Sequence, residues 1–293
     1  MRVTEFWKND TKQTLSFELF PPRTPKAAER FDVIVDSLAE LNPDFTSVTF
    51  GAGGSTREGS YQLLEKLKNE KNLDVIGYFA GYGLGPQEIK NVLDSYQDLG
   101  IENLLVVRGD IPRDDEGFTP HPESFRHASS LMEFIRPRYD FCLGVAAYPE
   151  GHIEAESKEK DLEFLKLKVD LGAEYIITNY CYDNQYFFDF LDRCLSTGIN
   201  IPIIPGVMPI YSEKMMESLA RLCGATITEE IQRGLATIQD GDKGAVLDFG
   251  MEFAYNQCED LLKSGVPGIH IYTMDRYKTV TVVVERLRKN GLL

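Results

Sequence analysis

One acidic residue stands inside an otherwise apolar run near the start of the chain, Leu15-Ser16-Phe17-Glu18-Leu19-Phe20-Pro21-Pro22-Arg23. The run reads as a short buried strand that stops at two prolines, neither of which has an N–H to extend a sheet ladder. A carboxylate buried there without a partner would cost several kcal/mol, on the order of other unpaired buried charges. Glu18 must therefore be paired, solvated by a cavity, or functional. Similar chemistry-bearing residues recur just after other short apolar runs: Thr49 and Phe50, Tyr78, Arg108-Gly109-Asp110, Tyr148 with His152, Thr178-Asn179-Tyr180 with Asp183, and Tyr272-Thr273 with Arg276. Carboxylates, arginines, an amide and several aromatic rings suit a flat, polar heteroaromatic ligand better than a sugar phosphate.

Each of these residues also has a purely structural reading. Glu18 could be locked to an arginine for packing, and Arg108 with Asp110 could form an ordinary loop ion pair. Buried tyrosines often serve as core filler with a bonded hydroxyl, and His152 could be a loop histidine. No lysine stands at the end of an apolar run to form a Schiff base, which disfavours an aldolase-type barrel. The five cysteines (142, 181, 194, 223 and 258) contain no CxxC pair, and the four histidines show no HxxxH or HxH spacing. Neither a disulfide framework nor a bound metal is expected.

The elements that would carry these residues alternate along the chain. Strands are expected at Leu15–Phe20, Phe45–Phe50, Asp74–Phe79, Asn103–Arg108, Phe141–Tyr148, Tyr175–Cys181, Ile201–Met208 and Ile269–Met274. Several are apolar on both faces, as in a parallel sheet covered by helices. Helical patterns fill the gaps. Thr24-Pro25 opens the first and Pro86 the third, while the fifth stops at Gly172 and the sixth near Gly198. Further helices are expected at 212–222, 228–236, 249–264 and 277–289.

Eight such repeats in 293 residues predict an α/β protein, a (β/α)8 TIM barrel forming a single catalytic domain over residues 1–293. A doubly wound sheet fits less well, because Gly51-Ala52-Gly53-Gly54 lacks the G-x-G-x-x-G spacing. The polar stretch Asp110–Pro122 is expected to be a mobile surface loop. In a barrel, all of the residues named above fall on the carboxyl-terminal rim.

A net charge of -15 argues against a nucleic-acid partner. No apolar run approaches the roughly 18–20 residues that span a bilayer, and the first residues lack the apolar core of a signal peptide. A cytoplasmic protein is expected.

The strand-end segments, taken together, resemble those of the methylenetetrahydrofolate reductase family. They are Phe17–Arg23, Ser47–Gly54 (SVTFGAGG), Val107–Pro112 (VRGDIP), Val145–His152 (VAAYPEGH), Ile177–Asp183 (ITNYCYD) and Ile203–Pro209 (IIPGVMP), and they occur in the family's order over nearly the whole chain. The resemblance implies a barrel that binds FAD, takes electrons from NADH or NADPH, and reduces 5,10-methylenetetrahydrofolate to 5-methyltetrahydrofolate. The folate's five-membered ring must open before hydride can add, and protonating the departing nitrogen promotes opening. Glu18 matches the family's general acid, and its apolar setting should raise its pKa. Asp110 matches an aspartate beside flavin and pterin. Ala52, Arg108, Gly109, Ala128, Tyr148, His152, Asp161 and Lys168 match flavin-holding positions, Thr49 a nicotinamide-nucleotide contact, and Arg276 a folate contact. Phe50 and Tyr78 stand beside the flavin, and Tyr148 and Asn179 on the substrate side.

Several positions depart from the family pattern. Tyr78-Phe79-Ala80-Gly81 stands where the family has an H-L-T-C run. Phe50 replaces a tyrosine, Asn179 and Met215 replace glutamines, and Phe164 and Leu167 replace an asparagine and an arginine on the flavin's phosphate side. These changes raise an alternative: FMN or loosely held flavin, with electrons delivered by a partner subunit. Otherwise a homo-oligomer is expected.

Overall fold

Residues one apart on a strand face opposite sides of the sheet. Along the first strand this sends Leu15, Phe17 and Leu19 toward the helices and Ser16 and Glu18 into the space the sheet encloses. The computed structural model describes residues 1–8, 12–22, 24–50, 54–109 and 117–293. Eight parallel strands close into a barrel in sequence order: β1 Thr14–Leu19, β2 Phe45–Val48, β3 Val75–Ala80, β4 Asn103–Val107, β5 Cys142–Ala147, β6 Tyr175–Tyr180, β7 Ile203–Val207 and β8 Gly268–Tyr272. The seam joins the first strand to the last, with Ser16 opposite His270 and Glu18 opposite Tyr272.

Ten α-helices are formed by the described residues: α1 Pro25–Ala39, α2 Gly54–Glu65, α3 Pro86–Asp98, α4 Ala128–Ile135, α5 Lys158–Asp170, α6 Asn184–Ser196, α7 Glu213–Cys223, α8 Glu229–Ala236, α9 Lys243–Lys263 and α10 Tyr277–Lys289. Side chains cap several of them as expected. The Thr24 hydroxyl accepts from the Ala27 N–H at α1, and the Ser157 hydroxyl from the Lys160 N–H at α5. The strands fall within one or two residues of the predicted runs. Two differences have physical causes. Strand β7 begins at Ile203, two residues later than expected, just after Pro202, which has no N–H to donate to the ladder. Helix α9 begins six residues earlier than expected because the Asp242 side chain caps it by accepting from the Ala245 N–H.

The enclosed space is filled in layers. Its amino-terminal end is apolar: Phe45, Ile76, Leu105, Cys142, Tyr175, Ile177 and Ile204 pack against Val3 and Trp7. A 3-10 turn over Val3–Trp7, not foreseen from the sequence, carries this plug. The Trp7 indole donates to Thr14 Oγ1 at 3.2 Å and meets Phe45 edge-on. Higher up, His270 is fully buried between Ser16 Oγ (2.8 Å) and Ser47 Oγ (3.2 Å), and burial lowers its pKa to about 3, so it is neutral filler. Above it sit Glu18, Tyr78 and Tyr272.

Among the described residues no helix is long and apolar enough to cross a membrane, and no three His, Cys, Asp or Glu side chains gather into a metal-holding group. All five cysteines are free thiols.

Candidate active site

Glu18 is only 5% exposed, and no arginine among the described residues pairs with it. Its partner is the Tyr78 hydroxyl, which donates to the carboxylate from two strands away. Burial raises the Glu18 carboxyl to about 7, the Tyr78 hydrogen bond opposes the rise, and nearby Asp275 adds to it. Desolvation wins because one hydrogen bond does not replace the hydration that a full charge loses. The result is a carboxyl that exchanges its proton near neutrality, as a general acid requires.

Tyr78 joins this carboxyl to an open cleft of about 580 Å³ across the ends of β2, β3 and β4. Thr49, Phe50, Ala80, Tyr82 and Gly109 line it together with Tyr78. Phe50 packs edge-on against buried Phe79. Gly109 has φ +89°, and a Cβ there would approach the Ala80 side chain to 2.8 Å, so only glycine keeps this wall open. Arg57, on the first turns of α2, also lines the cleft. Its Nε is sealed from solvent with no hydrogen-bond partner among the described residues. Sequence reading passed over Arg57 because it lies in a helix and not at a strand end.

Tyr148, His152, Asp161 and Lys168 form a second group around the end of β5. The Tyr148 and His152 rings meet edge-on at 4.6 Å, and Asp161 accepts the His152 backbone N–H at 3.0 Å. Lys168 reaches from α5 to the Ala146 carbonyl at 2.9 Å, and burial lowers its amine to about 8. A lysine thus touches a strand end after all, by way of a helix. Arg108 pairs with Glu154 at 2.5 Å.

Asn179 sits at a register irregularity near the end of β6, and its side-chain oxygen accepts the neighbouring Tyr180 N–H. Arg276 is exposed and lines a groove of about 1050 Å³ beside α7 and the start of α9. Ala128 opens α4 and packs against the core. Arg23, Ala52 and Asp110 lie outside the described residues, as does 110–116 of the stretch expected to be a mobile loop.

A closed parallel barrel with a protonatable carboxyl beneath an aromatic cleft is a (β/α)8 protein of the kind that builds its site at the carboxyl ends of its strands. The chain belongs to the methylenetetrahydrofolate reductase family, a family of oxidoreductases, whose sequence model matches residues 3–288. It is 32% identical to the 5,10-methylenetetrahydrofolate reductase of Escherichia coli over 262 residues, covering 89% of this chain and 86% of that one. It is 34% identical to methylenetetrahydrofolate reductase 1 of Schizosaccharomyces pombe over 290 residues, which is 98% of this chain but 47% of that one. The chain thus spans about half the length of that relative and of the Arabidopsis thaliana enzyme, where it covers 51%.

Among solved structures, an uncharacterized protein from Clostridium thermocellum that binds two copies of 5-methyl-5,6,7,8-tetrahydrofolic acid superposes with a TM-score of 0.60. It shares 16% identity and covers 97% of this chain and 98% of its own, a likeness of fold.

Proposed function

We propose that this chain, as one catalytic barrel domain, reduces 5,10-methylenetetrahydrofolate to 5-methyltetrahydrofolate, with Glu18 as the acid that protonates the departing folate nitrogen. The observation that carries the proposal is the buried Glu18 carboxyl, poised near pH 7 beside the cleft. A carboxyl at its ordinary value of 4.5 would be almost wholly ionised at neutrality and a poor proton donor. Tyr78 orients the carboxyl, and Arg276, exposed just after β8, would meet a carboxylate of the folate's tail.

The residues present fit a flavin. The cleft between Phe50, Tyr78 and Gly109 accepts a flat ring, and the unpartnered Arg57 Nε offers it a donor. Arg108 and the buried Lys168 would hold its phosphates, and an anion there would offset the burial that lowers the Lys168 amine to about 8. When bound, the flavin supplies the hydride chemistry between NAD(P)H and folate. The family resemblance favours FAD.

A second reading is favoured by two observations: electrons arrive from a partner subunit, and the flavin is FMN or loosely held. Phe164, where the family has an asparagine on the flavin's phosphate side, is 58% exposed and carries no charge, and the Asn179 oxygen accepts the Tyr180 N–H.

Glu18→Gln separates the two half-reactions. The variant should lose folate reduction by about 10²–10⁴-fold, the usual worth of general acid catalysis. Flavin reduction by NAD(P)H should be retained. Equal loss of both half-reactions would make Glu18 structural, and wild-type protein that reduces no folate with any reduced flavin would overturn the assignment. Full NAD(P)H-dependent turnover by the isolated chain would exclude the second reading, and the absorbance spectrum of the purified protein identifies its flavin.

A further inference from the structure

Immediately after β8 the chain takes two consecutive residues, Met274 (φ 46°) and Asp275 (φ 57°), through left-handed backbone. Aspartate tolerates this region, whereas for methionine it costs about 1–2 kcal/mol. The surrounding bonds fix the turn against that cost. The Asp275 N–H donates to Thr273 Oγ1 at 3.2 Å, and the Thr273 hydroxyl donates to the backbone carbonyl of Glu18 at 2.7 Å. The turn is thereby fastened to the residue that carries the proposed acid. Asp275 Oδ1 is sealed from solvent with no hydrogen-bond partner among the described residues. A carboxylate oxygen left this way is costly, and the Asp275 charge acts on Glu18, raising it further.

We propose that Asp275 is a positioning residue for the proton on Glu18: its carboxylate, fixed across the β1–β8 seam by the left-handed turn, opposes the ionisation of Glu18 and so keeps the acid loaded. This inference rests on Glu18 being the acid. Other described groups facing the pair are few. Tyr78 on β3 donates to Glu18, Tyr272 on β8 lies in register with it, and neutral His270 lies below. Arg276 and Tyr211 face Asp275 from the groove side. Arg276 and the Phe20 N–H favour the Asp275 carboxylate, yet burial outweighs them and raises it to about 6. With Arg276 and the Phe20 N–H favouring its ionised form, the Asp275 carboxylate is a like charge that raises Glu18.

The test is an infrared titration of the free protein labelled with ¹³C-glutamate, in which the protonated Glu18 band is the one that Glu18→Gln removes. In Asp275→Asn the midpoint of that band should fall by about one pH unit, the effect of removing a nearby like charge. The alkaline limb of the pH profile for folate reduction should move down with it, lowering the rate at a fixed alkaline pH by up to tenfold. Asparagine tolerates the left-handed backbone, and Asp275→Gly suits it better still, so one of the two variants should fold if the other does not. An unchanged band midpoint in a folded variant overturns the inference. A band that moves while the rate profile stays in place supports the electrostatic link and overturns the acid role of Glu18 instead.

Discussion

At Glu18, burial and hydrogen bonding pull in opposite directions and burial prevails, with a measurable consequence for stability. The side chain titrates near 4.5 when solvated and near 7 in the fold. Its favourable contribution is whole below 4.5 and is lost as pH rises through 7, because the folded state must then hold a buried carboxylate. The shift corresponds to about 3 kcal/mol. Glutamine has no such titration, so between pH 4.5 and 8 the stability of Glu18→Gln relative to wild type should improve by about 3 kcal/mol. Urea unfolding of both proteins across that range measures it, and parallel curves would show that Glu18 is not desolvated.

Glu18 was legible in the sequence because a carboxylate interrupting an apolar strand is costly wherever it lands. Asp275 was not. Beside Arg276 in a loop it reads as an ordinary surface acid, and only the left-handed turn brings it back over the barrel. Tyr78 was placed at the rim, but its bond to Glu18 depends on the register of strands that are not adjacent.

At the scale of elements, the strands were legible because a parallel barrel buries both of their faces and leaves unbroken apolar runs. Glycines within those strands could not be interpreted without the neighbours they face. Gly206 on β7 is one: a Cβ there would approach the Thr178 carbonyl oxygen to 2.2 Å and the Tyr272 ring to 2.5 Å. The Tyr272 hydroxyl donates to the same carbonyl at 2.8 Å and holds its ring across the upper layer. Gly206→Ala should therefore cost about 2 kcal/mol, as overpacking of a dense core does, and should weaken folate reduction by displacing Tyr272. Chemical denaturation gives the first quantity. A variant as stable as wild type would show that β6 and β7 part more easily than their ladder implies.

For the whole molecule, the two ends of the barrel have different tasks. The carboxyl end is polar and open, whereas the amino end is sealed by Trp7, which is 8% exposed. The plug could not be read from the sequence, since a five-residue 3-10 turn has no periodicity and gains its stability from the strands it caps. Trp7→Ala should lower stability by about 3–5 kcal/mol, the usual cost of deleting a large buried ring. The chemistry, remote from this end, should survive at temperatures where the variant stays folded. Thermal melting followed by half-reaction kinetics tests both parts.

The β1–β8 seam also fixes when the proposed acid, Glu18, gains its last neighbour. Thr273, whose hydroxyl holds the Glu18 carbonyl, lies 255 residues further along the chain. On the ribosome β1 emerges early and waits for its last neighbour through most of translation. Until Gly268–Tyr272 emerges, that flank of β1 has no ladder partner, and a solvated Glu18 would titrate near its ordinary value of 4.5. The final strand shuts out the solvent and raises the carboxyl toward neutrality. If Glu18 is the acid, a chain lacking β8 should hold no usable proton there at neutral pH.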